Sequence, residues 1–229
     1  MTENRKDGIK TMKIKTRVDV RVITVDNLND FILKDYPFHP SYKYLSRVHK
    51  SDYLRCYFMH HYGGGYSDIK RHNHSWEKYF DIINKNSDIW MIGLDNAFGI
   101  AYPEEYNSQQ RQHLKSYHGK MVGVGFMICR PRTKYTTEWY NLLHKLLDDY
   151  SDKLKKHPAI FSREAYDRMP SKFWGDEKDP ELKKLECPKE KTKYPITWNK
   201  FNQIIYPLQV KYINHIKTGL PMPDFSNYD

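Results

Sequence analysis

The sequence predicts an α/β domain with a mostly parallel central sheet flanked by helices. Two observations carry this expectation. Segments with strand character alternate with segments of helical period, and each predicted strand closes on a polar pair. At 229 residues the chain suffices for one well-packed domain. The reading is a single domain over residues 1–229, with 1–15 and 213–229 as peripheral tails.

In chain order, residues 18–25 (Val-Asp-Val-Arg-Val-Ile-Thr-Val) have the β-branched content of a strand, closed by Asp26 and Asn27. Residues 28–33 read as a short helix or turn, and 35–44, with Pro37 and Pro40, as a loop. A helix starting near Val48 or Ser51 runs to Tyr62, with Ser51 able to cap it and Asp52 placed against its dipole. Gly63, Gly64 and Gly65 break it. Residues 66–70 then alternate apolar and polar, as a strand end does. Residues 76–84 are amphipathic, 89–94 form an apolar run of strand length, and 97–118 read as a long polar loop or lid. Residues 121–129 give a further strand stopped by Arg130 and Pro131. Residues 136–154 form the clearest helix, with Trp139, Leu142, Leu143, Leu146, Leu147 and Tyr150 in one stripe. Residues 155–193 resist assignment; 194–212 is apolar but broken by Pro207, and the end of the chain is extended.

Composition narrows the function classes. Aromatic residues at 15%, among them 19 tyrosines, mark a globular chain, since disordered ones are poor in them. The tyrosines suit sugar-stacking surfaces, and equally a general compositional preference for Tyr, Asn and Lys. A net charge of +10 favours anionic partners. The charges are scattered, and the densest cluster, 183–193, also holds Glu186 and Glu190. This reads as solvation plus one anion site, with no nucleic-acid partner expected. Cys56, Cys129 and Cys187 match neither a zinc nor a disulfide pattern, which favours a reducing compartment. No apolar run approaches the roughly 20 residues of a membrane span, and residues 1–15 lack a signal-peptide core. The expectation is a soluble, cytoplasmic protein.

Ligands of open α/β sheets sit outside the carboxyl ends of strands. Asp26, the segment from Asp68 to Lys70, Asp95 with Asn96, and Arg130 are all expected there. Around residues 51–70 the order helix, glycine hinge, strand, charged tip brings Asp52, Arg55, Asp68 and Lys70 within reach of one another.

Ser51-Asp52-Tyr53-Leu54-Arg55, followed by Tyr62-Gly63-Gly64-Gly65-Tyr66-Ser67-Asp68-Ile69-Lys70, resembles the signature of the DXD-type sugar transferases. That group includes the yeast initiating mannosyltransferases and bacterial capsular-polysaccharide and toxin glycosyltransferases. The match covers about twenty residues strongly. A weaker echo extends to residues 90–94, 121–131 and the surroundings of Trp198. The resemblance implies a GT-A-like, Rossmann-type fold and transfer of a sugar from a nucleotide-diphosphate donor, UDP- or GDP-linked, to a glycan hydroxyl. It places Asp52, Arg55 and Asp68 at the donor, with Asp68 holding a divalent Mn or Mg ion; Gly65, Tyr66 and Lys70 of the same stretch are read as donor contacts beside them. The first nucleotide-binding strand is short or missing before Val18.

Position 70 departs from the pattern: Lys70 stands where the family has its second Asp. Either Asp68 holds the metal with donor phosphates, water and another carboxylate, or Lys70 itself neutralises the leaving diphosphate. The site is otherwise a remnant that binds without turnover. Asp95 is the candidate for acceptor contact or general base, with a turn-capping role equally open; Asp176 is a second candidate. Arg130 and Arg132 are candidates for phosphate contact or for a solvated loop. His60, His61, His72 and His74 suggest metal ligands, but without a matched partner pair they read as helix or surface positions.

Overall fold

A computed structural model of the chain describes residues 1–95, 99–168 and 193–226. The amino-terminal segment expected as a tail is a helix, α1 (Glu3–Lys15). Thr2 caps it by accepting from the Arg5 amide at 3.4 Å. Glu3 in its first turn and Lys13 and Lys15 in its last complement the dipole. Residues 18–25 form no strand. Their β-branched side chains find no partner strand, and Val25 is 88% exposed. Strand propensity measures fit to a sheet surface, and here there is none to fit.

Two 3-10 turns, Leu28–Phe31 and Pro40–Tyr44, lead to α2 (Arg47–His61). The cap of α2 is Ser46, not Ser51. After Tyr62 the chain turns through Gly63 (φ +66°) and Gly64 (φ +78°). A Cβ on Gly63 would lie 2.5 Å from Pro131 Cδ, so both conformation and space require glycine there. β1 (Gly64–Ser67), α3 (Glu77–Lys85) and β2 (Met91–Asp95) follow. The expected long loop contains α4 (Ser108–Ser116), opened by an Asn107–Gln110 capping box. Then come β3 (Val122–Cys129), α5 (Lys134–Asp149), α6 (Ser151–Lys156) and α7 (Asn202–Lys211, with Pro207 inside it). β4 (Ile216–Lys217) closes the sheet.

Among the described residues the strand order is β1-β3-β2-β4. β3 pairs antiparallel with both β1 and β2, and only β2–β4 is parallel. The sheet is therefore mixed, which corrects the mostly parallel expectation. A parallel β2–β3 pair would need a helix crossing one face of the sheet. α4 does not provide that crossing. Its buried Leu114 packs with Met121 and Tyr206 in a small separate cluster.

The side-chain alternation of β3 divides the core between the two sheet faces. Met127 and Cys129 join Tyr53, Tyr57, Trp139, Leu143 and Phe201 in the larger cluster. Phe126 and Ile128 join Trp76, Ile83, Ile92 and Leu94 on the other face. The end of the chain is not peripheral. β4 pairs with β2, Leu220 is buried, and Asp224 bridges to Arg71.

Candidate functional site

α2 and β1 meet at the glycine turn and bring the two halves of the 51–70 stretch together. Asp52 and Arg55 lie one helical turn apart and form an ion pair at 2.9 Å. Arg55 reaches on to the Asp68 carboxylate at 3.5 Å, just past the end of β1. Tyr66 is the hub. Its hydroxyl donates to Asp68 Oδ1 at 2.9 Å, shares a hydrogen bond with Ser51 Oγ at 3.0 Å, and takes one from Arg55 at 3.4 Å. The guanidinium also lies over the Tyr66 ring, 4.8 Å from its centre.

Electrostatics follow from depth. Burial raises Asp52 to about 6; the Arg55 charge opposes that rise, and the Asp68 charge adds to it. Burial alone would lower Arg55, but Tyr66, Asp52 and Asp68 outweigh it and hold its pKa above the ordinary value. Burial, with Asp68 next, lifts the Tyr66 phenol to about 12, so it remains a proton donor at neutral pH. Asp68 is the open member of the group, its side chain 42% exposed against 5% for Arg55. Arg55 Nε is buried and lacks a hydrogen-bond partner among the described residues. An orphan donor of this kind is costly unless something else satisfies it.

Gly125 of β3 makes room for the carboxylate. Its carbonyl accepts the Asp68 amide at 2.9 Å, and a Cβ at 125 would stand 2.9 Å from Asp68 Oδ2. Gly65 serves packing: a Cβ there would press on Trp76 and Phe80 at 3.1 and 3.2 Å. Lys70 Nζ sits 5.9 Å from the centre of the Phe225 ring.

The other candidates separate from this group. Asp95 ends β2 at the same end of the sheet, two strands in from β1, because β1, β2 and β4 all run toward the end where β3 starts. Its Oδ1 accepts the Gly219 amide at 2.9 Å, the turn-capping role. Arg130 is engaged by backbone carbonyls. Its guanidinium caps the end of α3, donating to the carbonyls of Ile83, Asn86 and Ile89. Arg132 adopts φ +54° and donates its amide to the His60 carbonyl. Asp26 lies in an exposed turn rather than at a strand end. His72 is buried, not on the surface, and hydrogen-bonds Ser67 at 2.9 Å. Asp176 and Cys187 lie outside the described residues.

The sequence pattern gives Ser51 only as a helix cap, and the two glycines of the 121–129 strand signal a close approach without saying that Asp68 makes it at Gly125. Both contacts depend on the crossing of α2, β1 and β3, which no local spacing reveals.

Among the described residues no group of three or more His, Cys, Asp or Glu side chains forms a metal cage. Asp68 is a single oxygen-donor residue, with a lysine two positions on. That donor set does not suit a resident ion. It does fit a Mg or Mn ion brought in with donor phosphates and water.

A family model described as "Glycosyltransferase sugar-binding region containing DXD motif" matches residues 2–73, under half of the chain. The matched span runs from α1 through the tip after β1 and includes every member of the Asp52–Arg55–Tyr66–Asp68 network. It supports a glycosyltransferase-type sugar-binding region and, at that coarse level, a glycosyltransferase-like function. No curated protein and no solved structure matches the chain. No helix among the described residues is long and apolar enough to cross a membrane.

Proposed function

We propose that the chain is a GT-A-like glycosyltransferase that moves a sugar from a UDP- or GDP-sugar to a hydroxyl of a glycan acceptor. The observation that carries this reading is the buried network of Asp52, Arg55 and Tyr66 holding a half-exposed Asp68, inside the region matched by the family model.

In this reading Asp52 and Arg55 face the donor sugar, and the orphan Arg55 Nε is satisfied when a sugar or phosphate oxygen arrives. Tyr66 and Arg55 share Asp68 Oδ1, which fixes the carboxylate rotamer before the donor binds. A divalent ion held by Asp68 would act as a Lewis acid on the diphosphate leaving group. Lys70 adds fixed positive charge on the same tip. Asp95 is the proposed acceptor contact or base, through the carboxylate oxygen not engaged by Gly219.

Lys70 favours one second reading, a catalytically inactive module that binds glycans or nucleotide sugars. Calorimetric titration with UDP- and GDP-sugars, with and without Mn or Mg, separates the two when paired with donor hydrolysis. Turnover supports the transferase; binding without turnover on any acceptor supports the module. Absence of binding to every nucleotide sugar and to every glycan acceptor overturns both.

A further inference from the structure

The helix that grips the site tip from one side presents a different chemistry on the other. The inner face of α1 packs closely. A Cβ on Gly8 would lie 3.2 Å from Ile69 and 3.3 Å from the Lys70 backbone. Thr11 Oγ1 accepts the His72 amide at 3.2 Å, and Asp7 pairs with Arg71. The outer side is basic. Residues 3–17 carry six Arg and Lys against two acidic side chains, Glu3 and Asp7. Asp7 is taken by Arg71 and Glu3 by Lys6. Arg17 reaches Glu77 at only 4.0 Å, with both ends largely exposed. Arg5, Lys10, Lys13 and Lys15 are exposed and have no ion pair among the described residues. Helical spacing sets Lys6, Lys10, Lys13 and Ile14 on one stripe. Ile14 is 60% exposed, and Met1, at the start of the helix, is 71% exposed.

We propose that the outer face of α1 docks the protein on an anionic lipid surface. Lysines on one stripe, Lys10 and Lys13 of them without an ion pair, attract acidic headgroups, and the exposed Ile14 beside them gains by entering the headgroup boundary. A nucleic acid is the poorer fit. Single-strand recognition uses aromatic platforms, and this face offers Ile14 and Met1 instead. The helix is only weakly amphipathic, so attraction is chiefly electrostatic and falls with salt. Docking here would hold the tip bearing Asp68 and Lys70 close to the lipid surface, because the same helix covers it from within. The proposal stands independently of the sugar-transfer reading.

The test is co-sedimentation of the whole chain with phosphatidylcholine vesicles, with and without phosphatidylserine, at two salt concentrations. The expected result is binding only to the mixed vesicles, weakened by salt. Lys6→Glu, Lys10→Glu and Lys13→Glu together are expected to reduce partitioning more than about tenfold. Lys155→Glu with Lys156→Glu, on α6, whose Leu154 joins the larger core cluster, changes it less than about twofold. If the glutamate variant misfolds by circular dichroism, the glutamine versions at the same three positions replace it, with the same direction expected. Three results overturn the proposal: no binding to phosphatidylserine vesicles, equal loss in the α6 variant, or tighter binding of a single-stranded oligonucleotide than of vesicles at the same salt.

Discussion

Tyr66 holds Ser51, Arg55 and Asp68 through one hydroxyl, and that makes it the residue most sensitive to a small change. Tyr66→Phe keeps the ring under the guanidinium but leaves Asp68 with one fewer donor. A hydrogen bond to a charged group is worth about 1.5–3 kcal/mol. Sugar transfer, as kcat/KM, should therefore fall roughly ten- to a hundredfold. Gly125→Ala tests the same carboxylate from beneath. Its new methyl would meet Asp68 Oδ2 at 2.9 Å and displace it. Activity should drop at least about tenfold while stability moves by less than about 1 kcal/mol, since the position is only half buried. Lys70→Asp restores a second carboxylate to the tip. A steeper dependence of turnover on added Mn or Mg is expected, and an unchanged metal response would show that Lys70 does not stand in for the cation. Asp52 adds a pH signature. With its pKa raised to about 6, the Asp52–Arg55 ion pair is lost as pH falls through 6. Transfer should fall along that limb, and Asp52→Asn should abolish the limb together with most of the activity.

At the scale of elements, α2 and α5 share a ring cluster remote from the tip. His61 packs at tilted and edge-on angles among Tyr36, Tyr57 and Tyr140, and both of its ring nitrogens are buried without partners among the described residues. Burial, then the neighbouring His60, Arg132 and His144, lowers it to about 4. Burial likewise lowers His49, His72 and His144 to about 4. A group depressed in the fold contributes stability that is full above its ordinary pKa of 6.5 and is lost as pH falls toward 4. Asp52, with a raised pKa, acts in the opposite sense: its contribution is present below its ordinary pKa of 3.8 and is lost as pH rises through about 6. The deeply buried His49 is worth on the order of 3 kcal/mol, the more open His61 and His144 less because solvent screens them, and the four histidines together outweigh one carboxylate. The urea midpoint should therefore drop steadily from pH 7 to pH 5, and His61→Leu should flatten that drop. Much of this level was legible in the sequence. The stripe of α5, the apolar run of β2 and the glycine break after α2 all carry strong local signals. α1 was not legible, because it buries little besides Gly8 and Met12 and is otherwise a run of charges. Residues 18–25 misled for the converse reason: their β-branched pattern is local, and a strand requires a partner that the fold does not supply.

For the whole molecule, strand direction was the feature least available from sequence. Local periodicity fixes which residues face which layer but not whether β3 runs with or against β2. Antiparallel pairing depended on where α4 packs, and α4 packs beside α7, off the sheet. The core of the site was legible because Asp52, Arg55 and Asp68 are bound by one short spacing through the glycine turn. Arg130 was misplaced because the carbonyls it caps arrive from α3, more than forty residues earlier in the chain. The carboxyl-terminal segment also proved structural. Ending the chain at His215 removes β4 from β2 and buried Leu220 from the second core layer, and it frees Asp95 from Gly219. Loss of about 3 kcal/mol or more is expected, read as a lowered thermal midpoint.

The most direct measurement of the donor-site reading compares hydrolysis and transfer of a panel of UDP- and GDP-sugars by the native chain and by Asp68→Asn. The substitution keeps the side chain's size and a hydrogen-bonding oxygen while removing the charge. The expected result is turnover of at least one donor by the native chain and a loss of roughly a hundredfold or more in the variant, with an unchanged circular dichroism spectrum. Equal turnover by both proteins would contradict the assignment of Asp68 and, with it, the role given to the network that holds it.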